Sequence, residues 1–257
     1  MNKENREIII LVIVGIAVML FLVVGFLLVF VINQRKKLKS QKHAAELELQ
    51  SLRAQLNPHF MFNSLNAIQE LILKEDFDNS YNYLARFAKL LRMILENTES
   101  SFLSLQKELE TLQLYLSLEK LRMPDLEYHF RVDETVDPEQ TKIPNMILQP
   151  YIENAIWHGL SHKQGERKLE VNVHKQNGTI QYEIKDNGVG RKRSAELKSS
   201  YRKQHKSKGM ELLSRRFSLI EKEYGAAIQT KLNDLEENGK ATGTQVEITI
   251  PDSFKTN

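Results

Sequence analysis

The period of hydrophobic positions changes several times along the chain, and each change marks a different kind of element. From Ile8 to Ile32 no charged or strongly polar side chain occurs for 25 residues. At about 1.5 Å rise per residue, a helix of that length crosses a hydrocarbon layer of roughly 30 Å with some tilt. A transmembrane helix is therefore expected at 8–32, preceded by a short extracytoplasmic end at 1–7. A secretory signal would carry a shorter apolar region and a small-residue cleavage site. Ala45, Leu49, Leu52 and Leu56 then recur at spacings of four, three and four, the seam of a helix that pairs with another helix. Two more helical patterns follow, Asn79 to Glu96 (Leu84, Phe87, Leu91, Ile94) and Leu105 to Arg122 (Leu105, Leu109, Leu112, Leu116). Met123-Pro124 stops the helical region, because proline disfavours helix in the residue before it.

Beyond Pro138 the period drops to two. Leu169, Val171 and Val173 alternate with polar residues, Asn177-Gly178 supplies a two-residue turn, and Ile180, Tyr182 and Ile184 alternate on the far side. Val246, Ile248 and Ile250 alternate again, and helical patterns cover Met146 to Leu160 and Met210 to Tyr224. The expected class is α+β, with helices on one face of a mixed sheet. The expected organisation is a basic, coiled-coil linker at 33–50, a helical domain at 51–123 and an α/β-sandwich domain at 140–252.

Composition narrows the chemistry. The 257 residues contain no cysteine, which excludes disulfides, thiol catalysis, iron–sulfur clusters and thiolate zinc sites. The net charge of +3 is unevenly spread, with basic runs at Arg35 to Lys42 and Arg191 to Lys208. Arg35, Lys36, Lys37, Lys39 and Lys42 follow the apolar span without an acidic residue among them, so the bulk of the chain is expected on the cytoplasmic side of the membrane. On that reading too few residues are expected outside to fold a ligand-binding domain, and an external signal is expected through the membrane or from a partner protein.

Three stretches carry candidate chemistry. In Asp186-Asn187-Gly188-Val189-Gly190 a carboxylate at a strand end precedes two glycines, so backbone can approach a flat ligand while the acid accepts a hydrogen bond from it. DNG is also an ordinary turn. Glu153, Asn154 and His158 lie close together on a helix, with Asn154 and His158 one turn apart. An asparagine oxygen suits magnesium, although a plain polar helix face ending at Gly159 explains the pattern equally. The basic segment ending at Gly209 can close over phosphates, remain solvated, or bind nucleic acid; a lone aromatic, Tyr201, among its charges argues against the last.

Taken in order, Asn57-Pro58-His59-Phe60 with Phe62, Asn63 and Asn66, then the helix from Leu148 through Glu153-Asn154-Ala155 to His158-Gly159, then Asp186 to Gly190, then Gly209, then Gly243-Thr244 before the last strand, resemble the LytS-type sensor histidine kinases. The resemblance covers about Leu52 to Pro251. It implies a dimeric helical domain carrying a phosphoacceptor histidine, joined to a Bergerat-type ATP-binding domain. His59 is similar to the phosphoacceptor, with Glu153 as an acidic catalytic neighbour and Asn154 as the magnesium ligand. His158, Asp186, Gly188, Gly190, Gly209, Gly243 and Thr244 match nucleotide-binding positions, and Asp186 would read adenine. The resemblance further implies ATP and magnesium, a homodimer, a membrane location and a response regulator as partner; the other class weighed is a membrane-anchored scaffold that binds ATP without transferring phosphate.

Pro58 removes a backbone donor and leaves a carbonyl one turn earlier unpaired, so a bend that turns His59 out of the seam is expected. A histidine of ordinary pKa near 6.5 is largely neutral at cytoplasmic pH, which leaves a ring nitrogen free to act as nucleophile. Two departures from the family pattern stand out. Ser207-Lys208-Gly209-Met210 keeps one lid glycine where a pair is usual, and Asn145 stands where a second proline is frequent.

Overall fold

The structure, a computed structural model, describes residues 30, 33–34, 58–98, 100–197, 213–215, 217–222, 224–225, 227–237 and 239–252. The membrane span at 8–32, the linker at 33–50 and the Ala45 to Leu56 seam lie outside the described residues, apart from helical backbone at Phe30, Asn33 and Gln34. Among the described residues no helix is long and apolar enough to cross a membrane. The described elements from Pro58 onward all belong to one compact unit, 54–257.

Helix α1 is described over Pro58–Leu73. The bend expected at Pro58 involves residues ahead of it, outside the described set. Lys74 to Asp76 turn the chain back into α2 (Phe77–Thr98). Glu75 takes a positive φ of 57°, and the Asp76 carboxylate accepts from the Asn79 backbone N–H at 3.3 Å and from its side-chain amide at 2.8 Å. The first of these bonds satisfies a donor that the opening helical turn would leave open. Along α2, Tyr83, Phe87, Leu90 and Ile94 are buried at spacings of four, three and four. The expected stripe shares Phe87 and Ile94 with this face but begins at Leu84, which is 48% exposed. This helix carries two apolar stripes, and periodicity alone does not say which one faces the core.

A short antiparallel pair, β1 (Phe102–Ser104) with β3 (Lys142–Pro144), brackets α3 (Leu105–Arg122). Ser104 caps α3, its hydroxyl accepting from Lys107 N at 3.4 Å. Leu105, Leu109, Leu112 and Leu116 are buried as their spacing predicts, but so are Glu108, Thr111, Tyr115, Leu118 and Glu119. A helix buried around most of its circumference lies between layers rather than on a surface.

The main sheet has the order β2-β4-β5-β7-β6, built from β2 (Leu126–Val132), β4 (Arg167–Gln176), β5 (Thr179–Asp186), β6 (Gln229–Glu237) and β7 (Lys240–Pro251). The β2–β4 pair is parallel and the others antiparallel, which makes the sheet mixed, as expected. Strand β2 lies ahead of residue 140, where the sequence pattern opens the second domain. Asn177 and Gly178 both take positive φ, 51° and 73°, the type I′ geometry that matches the twist of the β4–β5 hairpin. One face buries Leu169, Val171 and Val173, Ile180, Tyr182 and Ile184, and Val246, Ile248 and Ile250. On the other face Asn172, Glu183, Gln245 and Glu247 bond one another at 2.8–3.1 Å. Alternation thus separates a dry face from a wet one.

The helix expected over 146–160 is three pieces: α4 (Gln149–Asn154), a π-helical turn (Ala155–Gly159) and a 3₁₀ turn (Leu160–His162). The approach to it is tied down by side chains. The buried Glu108 carboxylate accepts from Met146 N at 2.9 Å and Leu148 N at 3.1 Å, and Met146 takes φ 53° to present its N–H. Asn145 donates its amide to the carbonyls of Asn97 and Ser100 at 2.8 and 2.6 Å, fastening the end of α2 to this approach. Proline at that position would offer no amide to donate. After β5, α5 (Gly190–Leu197) covers the first part of the basic run, and helical backbone recurs within 213–224.

Glu108→Ala leaves two backbone N–H groups buried without an acceptor, and each such loss costs about 1–3 kcal/mol. Thermal unfolding of the full chain should show a drop of several degrees, whereas Glu108→Gln, which keeps one acceptor oxygen, should lose about half as much.

Candidate functional site

Asp186 ends β5, paired with Leu169 of β4 on one side and Thr244 of β7 on the other. A residue in the middle of a sheet whose side chain points to the dry face is buried by its neighbours, and Asp186 is only 4% exposed. Its Oδ1 accepts from Gly188 N at 2.8 Å. Burial pushes the carboxyl pKa up to about 6, against the backbone hydrogen bonds of Gly188 and Thr244 and the Lys163 ammonium, which pull it down.

Backbone crowds this carboxyl from three directions. A Cβ on Gly159, at the end of the π turn, would lie 2.7 Å from Asp186 Oδ1. One on Gly188 would lie 2.4 Å from Gly159 Cα, and one on Gly243, where φ is 151°, would lie 1.9 Å from the Asp186 carbonyl oxygen. Only glycine fits these approaches. The Val189 N–H donates to Gly159 O at 3.2 Å and locks the DNG loop onto the π turn.

A recess opens beside the carboxyl. Ile184 and Val246 form an apolar floor, while Tyr151, Asn154 and His158 stand along one wall. Leu232 from β6, Thr244 from β7, and Arg191 and Ser194 from α5 complete it. At the rim, both Asp234 oxygens accept from Arg191 at 2.6 and 2.8 Å, a bidentate pair joining α5 to β6. A slot with an apolar floor and one buried acceptor suits a flat heteroaromatic ring that carries an amino group, since the amino group of adenine donates and requires an acceptor. Asn154 offers an amide oxygen at the same recess, a hard neutral donor of the kind magnesium takes when phosphates supply the negative charge.

Of the residues singled out from sequence, Asn154, His158, Asp186, Gly190 and Thr244 come together around the recess, and Gly188 and Gly243 pack on Asp186 itself. Glu153 is not among the lining residues; its Oε1 accepts from Gln149 Nε2 at 2.9 Å. Gly209 lies outside the described residues. His59 contributes helical backbone to the first turn of α1, and its neighbour Phe60 is buried. Sequence reasoning missed Ile184 and Val246 as floor residues, although period-two alternation places them on the same face as Asp186 and Thr244. It also passed over Gly159 as a contact of the carboxyl. Leu232 and Ser194 carried no comparable signal.

Residues 47–126 match the family model described as histidine kinase. The sensor protein LytS of Bacillus cereus is 30% identical over 211 residues, covering 80% of this chain and 34% of that protein. LytS of Oceanobacillus iheyensis is 35% identical over 153 residues, covering 59% and 26%, and LytS of Bacillus subtilis is 33% identical over 147 residues, covering 56% and 24%. The chain thus spans about a third or less of the length of these curated relatives. Among solved structures, the mycobacterial sensor histidine kinase MprB aligns at a TM-score of 0.39 and 15% identity, covering 58% of this chain and 95% of that one. The histidine kinase ThkA in complex with the response regulator TrrA aligns at 0.35 and 16%, covering 83% and 64%.

The Asp186 carboxyl has a pKa raised from 3.8 to about 6, so between those values the folded chain binds more protons than the unfolded one. Stability contributed by this group is therefore present in acid, is lost as pH rises from about 4 to 6, and stays lost above that. Asp186→Asn should be more stable than wild type by about 1–3 kcal/mol at pH 7.5, with the difference shrinking as pH falls through this window. Denaturant unfolding of both chains across pH 4.5–8 checks the size and the sign.

Proposed function

The chain belongs to the LytS-type histidine kinase family, and from that premise we propose that it is an ATP-dependent kinase that phosphorylates its own His59 and hands the phosphoryl group to an aspartate of a separate response regulator. The observation that carries this reading is the buried Asp186 carboxylate over an apolar floor, with Asn154 and His158 on the adjoining wall. In that slot Asp186 accepts from the amino group of adenine, Ile184 and Val246 hold the ring, and Thr244 and the glycines let it approach. Guanine would present a carbonyl oxygen to the same carboxylate, so the site discriminates between purines. Asn154 would hold magnesium, which would neutralise charge on the phosphate oxygens. A lone pair on a His59 ring nitrogen attacks the terminal phosphorus, the bond from that phosphorus to the ADP oxygen breaks, and the ring's N–H proton passes to solvent water. Positioning and charge neutralisation account for most of the acceleration in such transfers. Arg191 and the basic residues after it serve the phosphate side.

The working organisation is a bacterial membrane anchor at 8–32, a helical phosphoacceptor domain at 51–123 and an ATP-binding domain at 140–252 with β2 added ahead of it. The homodimer belongs to the proposal too. Phe62, Leu65 and Ile72 on α1, and Phe77, Tyr81, Leu84 and Leu95 on α2, are 48–73% exposed and follow helical spacing. An apolar stripe of that length on a helical hairpin fits a second hairpin laid against it as a four-helix bundle.

Two experiments test this. Full-length chain incubated with γ-labelled ATP and magnesium should gain acid-labile label, and His59→Gln should gain none; Asp186→Asn should lose at least tenfold in nucleotide affinity. Nucleotide binding without label on the wild type would identify a scaffold that holds ATP and transfers nothing. For the dimer, Tyr81→Glu with Leu84→Glu should shift the sedimentation coefficient to that of a monomer at micromolar concentration, while the adenine recess still binds nucleotide.

A further inference from the structure

The helix layer holds a polar cluster that the nucleotide recess does not use. Glu119 on α3 has a fully buried side chain. One oxygen, Oε2, accepts from Arg122 Nη1 at 2.8 Å, and Tyr115 faces the carboxylate as a hydrogen-bonding neighbour. Facing it are Tyr115 and Arg122 from its own helix, Tyr83 from α2 and Glu153 from α4. Burial raises its pKa to about 7, with the Arg122 guanidinium pulling the other way. A buried carboxylate costs stability even when paired, and a leucine there would not. Its presence calls for a role beyond packing.

That role follows from what Arg122 and Tyr115 touch. The Arg122 guanidinium lies over the Trp157 ring, 5.0 Å from its centroid. Trp157 Nε1–H donates to Tyr115 Oη at 3.0 Å. The Tyr115 ring in turn packs on Phe60 with centroids 5.0 Å apart, and Phe60 also meets Phe87 of α2 at 5.9 Å. Phe60 directly follows His59, and Trp157 directly precedes His158, a wall residue of the recess. Two side-chain contacts therefore connect the nucleotide wall to the first turn of the phosphoacceptor helix.

We infer that Trp157, clamped between Tyr115 and the Glu119–Arg122 pair, is a positioning residue that sets where the phosphoacceptor helix stands relative to the nucleotide recess. The inference rests on the kinase reading above. Trp157 does not line the recess, so it acts through Tyr115 and Phe60 on α1 and not on the nucleotide. Misplacement of a reacting group by about 1 Å costs up to roughly 100-fold in rate without any change in ground-state binding.

The test compares wild type with Trp157→Phe, which keeps a ring but loses the N–H, and with Tyr115→Phe and Glu119→Gln. Affinity for a fluorescent trinitrophenyl ATP analogue, thermal unfolding, and the initial rate of acid-labile labelling at saturating ATP are measured on the full-length chain. Trp157→Phe and Tyr115→Phe are expected to bind the analogue within twofold of wild type and to label roughly 10–100-fold more slowly. A chain carrying both of these substitutions should be no slower than the slower single one, because both remove the same bond. Glu119→Gln should slow labelling likewise. Wild-type labelling rates in all three overturn the inference, as does a loss of analogue affinity that tracks the loss of thermal stability. A wild-type chain that takes no label overturns the kinase reading and the inference together, whereas label on wild type with unchanged variants overturns the inference alone.

Discussion

The carboxyl of Asp186 constrains this half of the molecule more than any other group. It ends a central strand, so neighbouring strands wall it in on both sides, and its Oδ1 is held by the loop that follows. For a ligand to reach it, the π turn, the DNG loop and the start of β7 must all crowd close, and each does so at a residue without a Cβ: Gly159, Gly188 and Gly243. The glycines, the raised pKa and the apolar floor are thus consequences of one buried acid. A site arranged this way gives up stability, since the ionised carboxylate is held in a place that favours its neutral form.

The helical half obeys a different constraint. Helix α2 carries one stripe into the core through Tyr83, Phe87, Leu90 and Ile94 and leaves another outside through Phe77, Tyr81, Leu84 and Leu95. Neither stripe is dispensable if the hairpin must hold α3 on one side and a second subunit on the other. α3 is the hinge between the halves: Glu108 fixes the approach to α4 by two backbone hydrogen bonds, and Tyr115 and Glu119 meet the π turn and α1–α2.

Elements defined by strict periodicity were legible in the sequence. The limits of α3, the Asn177-Gly178 hairpin and the alternation in β4, β5 and β7 were read from spacing, since each buries one face and a shift by one residue would expose it. The residues around Asp186 were legible as motifs, because glycine and asparagine at fixed offsets reflect backbone needs. Three kinds of feature were not. The choice between Leu84 and Tyr83 as the inward stripe depends on what packs against α2. Strand β2 was hidden next to Pro124, although Leu126, Tyr128, Phe130 and Val132 alternate, because a parallel pairing with β4 is set by tertiary contact. Glu108 and Glu119 lie outside the apolar spacing of α3, and only the packing of that helix between layers buries them.

The π-helical turn at Ala155–Gly159 ties these halves together geometrically. In an α-helix each residue advances about 100°, so Trp157 would sit only about 60° from Asn154 and would crowd the recess wall. A π turn bonds to i+5 and advances less per residue, so three residues fall further short of a full turn and Trp157 swings away from Asn154 toward α3. Asn154 and His158 stay on the recess while the indole reaches Tyr115 at 3.0 Å. Such turns are costly in hydrogen-bond geometry and persist where they place side chains that a regular helix cannot. Here the same short segment borders the recess on one side and packs against α3 on the other, and no α-helical turn of that length would serve both.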